Sequence, residues 1–160
     1  MRITFDAISS NESLARVAVA AFASQMDPTI EELADVKTAV SEAVTNAIIH
    51  GYGNVAGYGK RGATWHEEDE RKPGKVDVRC KLENGVLTVT VEDQGKGIED
   101  VEKAMEPLYT TRPDLDRSGR GFAFMEAFMD DLQVESAVGV GTIVRMQKKM
   151  TSGPWIRVEG

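Results

Sequence analysis

Glu42, Asn46 and His50 follow one another at four-residue intervals in a segment whose apolar residues keep helical spacing. On an α-helix, positions i, i+4 and i+8 share a face, so a carboxylate, an amide and an imidazole would project together. The opposite stripe, through Leu33, Val36, Val40, Val44 and Ala47, would face a core. An amide oxygen such as that of Asn46 can ligate Mg²⁺, which keeps several waters and is shared with phosphate oxygens. A carboxylate one turn earlier, Glu42, can orient or deprotonate a hydroxyl. Taken alone, the pair reads better as a solvated helix face with an i,i+4 hydrogen bond. His50 reads as a helix-end cap or packing residue and is not assigned to catalysis.

Asp93 shares the alternation parity of Leu87, Val89 and Val91, so it should point inward where a strand ends. An inward carboxylate is unfavourable unless something binds it. Asp93-Gln94-Gly95-Lys96-Gly97-Ile98 places two glycines beside it, letting a ligand lie against the backbone. Such a carboxylate could accept a hydrogen bond from an adenine amino group; an Asp opening a glycine turn is the plainer reading. Ser118-Gly119-Arg120-Gly121-Phe122 precedes another helical pattern. Backbone N–H groups at a helix N-terminus attract anions, and Arg120 between the glycines adds a forked phosphate donor. A flexible helix start is the competing reading of the glycines alone.

The elements that must position these groups follow from patterning. Residues 2–8 alternate as a short strand. Ser9-Ser10-Asn11 offers N-cap chemistry for a helix over residues 13–25, its apolar positions Leu14, Val17, Ala18, Ala21 and Phe22 leaving Glu12 and Arg16 toward solvent. Asp27-Pro28 predicts the start of the second helix, with proline in its first turn, and Gly51 is placed as its C′ residue. Residues 53–74 are rich in glycine and then charge, which predicts an inserted surface loop. Within it, Gly57-x-Gly59-x-x-Gly62 formally matches a dinucleotide fingerprint, but no strand precedes it and no helix follows.

Val76 to Leu82 and Leu87 to Val91 alternate around Asn84-Gly85, a two-residue hairpin signal. Residues 98–118 read as a lid-like stretch. Phe122, Met125, Met129 and Leu132 predict a third helix ending at Asp130-Asp131, and residues 133–138 and 142–149 a last hairpin. The order β-α-α-ββ-lid-α-ββ predicts an α/β sandwich: a mixed, mostly antiparallel sheet with helices on one face. The domain spans 1–150, with 151–160 as a tail.

At 160 residues, 41% hydrophobic and 28% charged, the chain has the makings of one soluble globular domain. A net charge of -7 argues against nucleic acid or an anionic membrane as a direct partner. The only cysteine, Cys80, leaves no internal disulfide and suits a reducing cytoplasm. No signal peptide or membrane span is evident.

Taken together, the motifs resemble those of the Bergerat-fold (GHKL) ATPases, which include histidine-kinase catalytic domains. Glu42-x-x-x-Asn46 resembles their N box, Asp93-x-Gly95-x-Gly97 the first glycine box, Gly119-x-Gly121 the second, and Gly141-Thr142 the closing Gly-Thr. Residues 41–52, 107–113 and 128–131 resemble the sporulation anti-sigma F factors more closely, and the likeness covers residues 2–52 and 75–150. Two features depart from that pattern: residues 53–74 where the family has a short link, and the tail.

The resemblance implies a Bergerat-type fold with an ATP lid and a homodimeric serine protein kinase that sequesters a sigma factor. Its antagonist, an anti-anti-sigma protein, would displace sigma and be phosphorylated on serine with Mg-ATP. By position, Glu42 would be the catalytic base and Asn46 the Mg²⁺ ligand. Asp93 would read adenine, with Gly95, Gly97 and Ile98 around the nucleotide. Thr110, Thr111, Arg112, Ser118, Gly119, Arg120, Gly121 and Phe122 would form the lid and phosphate cradle, and Thr142 would close the adenine pocket. Arg16 matches the position that contacts both protein partners. Two alternatives stay open: a nucleotide-gated sigma-binding module without kinase activity, and a stress-response kinase of the sigma-B type.

Overall fold

The computed structural model describes residues 1–52, 73–106 and 121–150. Five strands, β1 (Arg2–Asp6), β2 (Lys75–Glu83), β3 (Val86–Asp93), β4 (Asp131–Ala137) and β5 (Gly141–Lys149), form one sheet in the order β1-β2-β3-β5-β4. Four helices accompany them: α1 (Asn11–Ala23), α2 (Ile30–Asn46), the single turn α3 (Val101–Ala104) and α4 (Gly121–Phe128). The predicted order of elements is the observed one apart from α3, which lies in the stretch read as a lid. The expected mixed sheet is antiparallel in every described pairing. Two helices lie between β1 and β2, so the chain crosses the layer twice and returns running the opposite way.

The inner face of the sheet carries Phe5, Val76, Val78, Cys80, Leu87, Val89, Val91, Val144 and Met146, all buried. Register stacks them: Val91 lies opposite Val144, and Val89 lies between Cys80 and Met146. Cys80, 5% exposed, has its thiol pushed up to about 11 by burial. The β2–β3 turn is the predicted Asn84-Gly85, with φ of 51° and 75°, the pair of left-handed residues a type I′ turn requires.

The helix layer departs from expectation in particular places. α1 buries Ala15, Val19 and Ala23 and leaves Leu14 and Val17 54% and 61% exposed, so the predicted apolar face is corrected by one residue, roughly 100° around the helix. The buried stripe is the one with small residues, which lets α1 lie close on α2. α2 begins at Ile30, not in the first turn after Asp27-Pro28. Asp27 is left-handed at φ 47° and ends a short 3-10 turn, Ser24–Met26. Thr29 then caps α2: its hydroxyl accepts from the Glu32 N–H at 3.0 Å, and the Glu32 carboxylate accepts from the Thr29 N–H in return.

At the other end α2 does not stop on a C′ glycine. Residues Ala47–Gly51 continue it as a π-turn, and Tyr52 ends it with φ -110° and ψ 0°. The third helix stops at Phe128, earlier than Asp130-Asp131, because Asp131 already pairs with Gln147 in the sheet.

Candidate functional site

A cavity of about 770 Å³ opens between the end of α2, the β3–α3 loop, the start of α4 and the β4–β5 hairpin. Its volume lies within the range of small-molecule sites. Val91, Val144, Ala43 and Ala47 contribute an apolar floor, while Asn46, His50, Asp93, Lys96, Asp100, Lys103 and Thr142 supply polar edges.

Asp93 lies inward as its parity predicts, 7% exposed at the last position of β3. Burial pushes its pKa up, against the backbone N–H groups of Gly95 and Thr142 that favour the ionised form, to about 6. The Gly95 N–H reaches Oδ1 at 2.9 Å. Thr142 lies opposite Asp93 in the sheet and is equally buried. Ser136 accepts from the Ile98 N–H at 2.7 Å and donates to the Gly141 carbonyl at 3.0 Å, leaving the Thr142 hydroxyl as donor to Ser136 at 2.8 Å.

Close approach explains the glycines. A Cβ on Gly121 would stand 2.9 Å from Asn46 Nδ2 and 3.1 Å from Oδ1, so the start of α4 lies directly on the Asn46 amide. Gly97, at φ 76°, lines the cavity, and a Cβ there would meet the Ala137 carbonyl at 2.3 Å. Gly95 faces elsewhere: a Cβ on it would be 2.0 Å from the Gly51 carbonyl, so this glycine serves the contact with the end of α2.

The structure thus brings together Asn46, Asp93, Gly97, Ile98, Gly121, Phe122 and Thr142 around one cavity. Glu42 lies one turn before Asn46 and is half-buried, outside the cavity-lining set. Arg16 lies on α1, 3.8 Å from Glu12 and away from the cavity lining. Thr110, Thr111, Arg112, Ser118, Gly119 and Arg120 lie outside the described residues, as do residues 53–72 and the tail. His50, read from sequence as a helix-end cap or packing residue, lies in the π-turn and lines the cavity. Its four-residue step from Asn46 was the available signal. Ser136 and Tyr52 had none, since only the fold brings them to the loop after Asp93.

The histidine kinase-like ATPase domain model matches residues 7–148. The anti-sigma F factor of Clostridium novyi (strain NT) is 55% identical over 152 residues, 95% of each chain. That of Clostridium acetobutylicum is 55% identical over 93% of this chain and 92% of its own. That of Thermoanaerobacter sp. (strain X514) is 51% identical over 95% and 94%. The chain belongs to the anti-sigma F factor family of histidine kinase-like ATPase domains. Membership makes it a nucleotide-binding domain of an ATP-using kinase family. No helix among the described residues is long and apolar enough to cross a membrane.

Proposed function

We propose that this chain is a cytoplasmic, homodimeric anti-sigma factor that withholds a sporulation sigma factor from RNA polymerase and phosphorylates its anti-anti-sigma antagonist on serine with Mg-ATP. The observation that carries the reading is the cavity in which an inward carboxylate, an inward amide and two glycine approaches converge. Its size and apolar floor fit a purine, and Asp93 and Thr142 stand at one wall to read the base edge. Gly121, with no side chain, lets the start of α4 close on Asn46, whose amide oxygen is the kind of donor Mg²⁺ accepts while keeping waters. The ion would neutralise charge on the transferring phosphoryl group.

In this reading the antagonist's seryl oxygen attacks the γ-phosphorus, the bond to the β–γ bridging oxygen breaks, and ADP leaves. Glu42 takes the seryl proton. Thr110, Thr111, Arg112, Ser118, Gly119 and Arg120 are assigned to the lid and phosphate cradle by resemblance alone. Arg16 is assigned to partner contact on the same basis.

Purified protein mixed with Mg-ATP and its cognate antagonist should yield phosphoserine on the antagonist. Glu42→Ala should retain nucleotide affinity and lose transfer; transfer at the wild-type rate would sink the base assignment. One observation favours the second reading, a nucleotide-gated sigma-binding module: Glu42 does not line the cavity. If the wild type transfers phosphate to no cognate antagonist, that module reading replaces the kinase. A monomer by light scattering at micromolar concentration would remove the dimer.

A further inference from the structure

The three amide groups that follow Asp93 are each held by a different acceptor. The Gln94 N–H donates to the Tyr52 hydroxyl at 2.7 Å, the Gly95 N–H to Asp93 Oδ1 at 2.9 Å, and the Lys96 N–H to the Gly51 carbonyl at 2.9 Å. Two of the three acceptors belong to the last two residues of the π-turn region that continues the Asn46 helix. The Tyr52 hydroxyl, having accepted from Gln94, donates its own proton to the Lys75 carbonyl at 2.6 Å. It therefore bridges the first residue of β2 and the first residue after β3.

Packing fixes this bridge in place. A Cβ on Gly74 would lie 2.2 Å from the Tyr52 ring, so the strand entering β2 is pressed flat against it. A Cβ on Gly51 would lie 2.8 Å from Asp93 Oδ1. The Asp93 carboxylate is thus bounded on one side by the Gly51 backbone and oriented by the amides of Gly95 and Thr142. The position of the Gly95 amide depends on its neighbours at 94 and 96. Of these two, only the Gln94 tether is made by a side chain.

We propose that Tyr52 is a positioning residue for base recognition: its hydroxyl bridge between Lys75 and Gln94 holds the Asp93 carboxylate in the orientation that accepts from the 6-amino group of adenine. The inference rests on the nucleotide reading above and deepens it. Removing the hydroxyl frees the Gln94 amide, but Gln94 is exposed, so water replaces the lost acceptor and the fold stands. What is lost is the register of the loop, and with it the geometry of one base-specific hydrogen bond.

The test compares ADP with inosine diphosphate, which carries a carbonyl in place of the amino group, by calorimetric titration of the full chain. Wild type should prefer ADP. Tyr52→Phe should weaken ADP by about five- to tenfold, the worth of one well-oriented hydrogen bond, and leave inosine diphosphate unchanged. Gly51→Ala, which crowds the carboxylate directly, should likewise erase the preference. If Tyr52→Phe keeps the wild-type preference, or weakens both nucleotides equally, the positioning role is overturned. If wild type binds neither nucleotide, the nucleotide reading itself is overturned, and this inference with it.

Discussion

Asp93 joins burial, a raised pKa and a predicted role in one group. Its carboxyl is raised from 3.8 to about 6, mainly by desolvation. Nucleotide recognition through an accepting carboxylate needs the ionised form, so ADP affinity should be level above about pH 7 and fall as pH drops through 6. Asp93→Asn should bind ADP weakly at all pH values; a wild-type profile in that variant would remove Asp93 from base recognition. Stability runs the other way. A carboxyl whose folded pKa is raised favours the folded state below about pH 4, and that contribution is lost as pH rises through 6. Without nucleotide at pH 8, Asp93→Asn should therefore be more stable than wild type by about 1–3 kcal/mol, the gap closing by pH 4 in urea titrations. The inward direction of Asp93 was legible from strand parity alone. That Gly95 serves the Gly51 carbonyl was not, because sequence spacing reveals that a glycine is needed but not which surface presses on it.

At the scale of elements, periodicity located the five strands and the three longer helices among the described residues but not the single turn α3, and other differences gathered at ends and faces. The start of α2 was displaced to Asp27-Pro28 although Thr29-x-x-Glu32 spells a capping box. Proline was read as an opening residue when it precedes the cap. The face of α1 differs from expectation because Leu14, Val17 and Phe22 are bulkier apolar residues than Ala15 and Ala23, whereas helix contact favours the smaller stripe. The π-turn had no sequence signal; it ends with the Gly51 carbonyl accepting from the Lys96 N–H, a long-range contact that only the fold creates. The cap gives a clean check. Thr29→Ala should lower unfolding free energy by about 1 kcal/mol in denaturant titration. Asn46 is the last of the 17 residues of α2, about 25 Å along the axis, so nucleotide affinity should not change. A loss of affinity in Thr29→Ala would mean that loss of the cap is felt along α2 as far as Asn46 and is not a local fraying.

For the whole molecule, one side of the helix layer holds the cavity and another holds an unexpected surface. Leu14 and Val17 stand exposed on α1, the helix that also carries Arg16, and Ile30 at the start of α2 is 91% exposed. A helix that offers both apolar and basic side chains to solvent suits a protein partner. Arg16→Ala should weaken co-purification with the sigma factor several-fold and leave ADP affinity unchanged; equal sigma binding would clear Arg16 of that role. The buried Cys80 has a practical consequence. Held mid-strand with its thiol pushed up to about 11, it is silent toward alkylating reagents until β2 separates from its neighbours. The protein thus carries its own reporter of opening, needing no label or chromophore. A ligand that binds only the closed form at a hundred times its dissociation constant should slow alkylation about a hundredfold. Timing one thiol would then rank nucleotides and partners by how firmly each keeps the sheet shut.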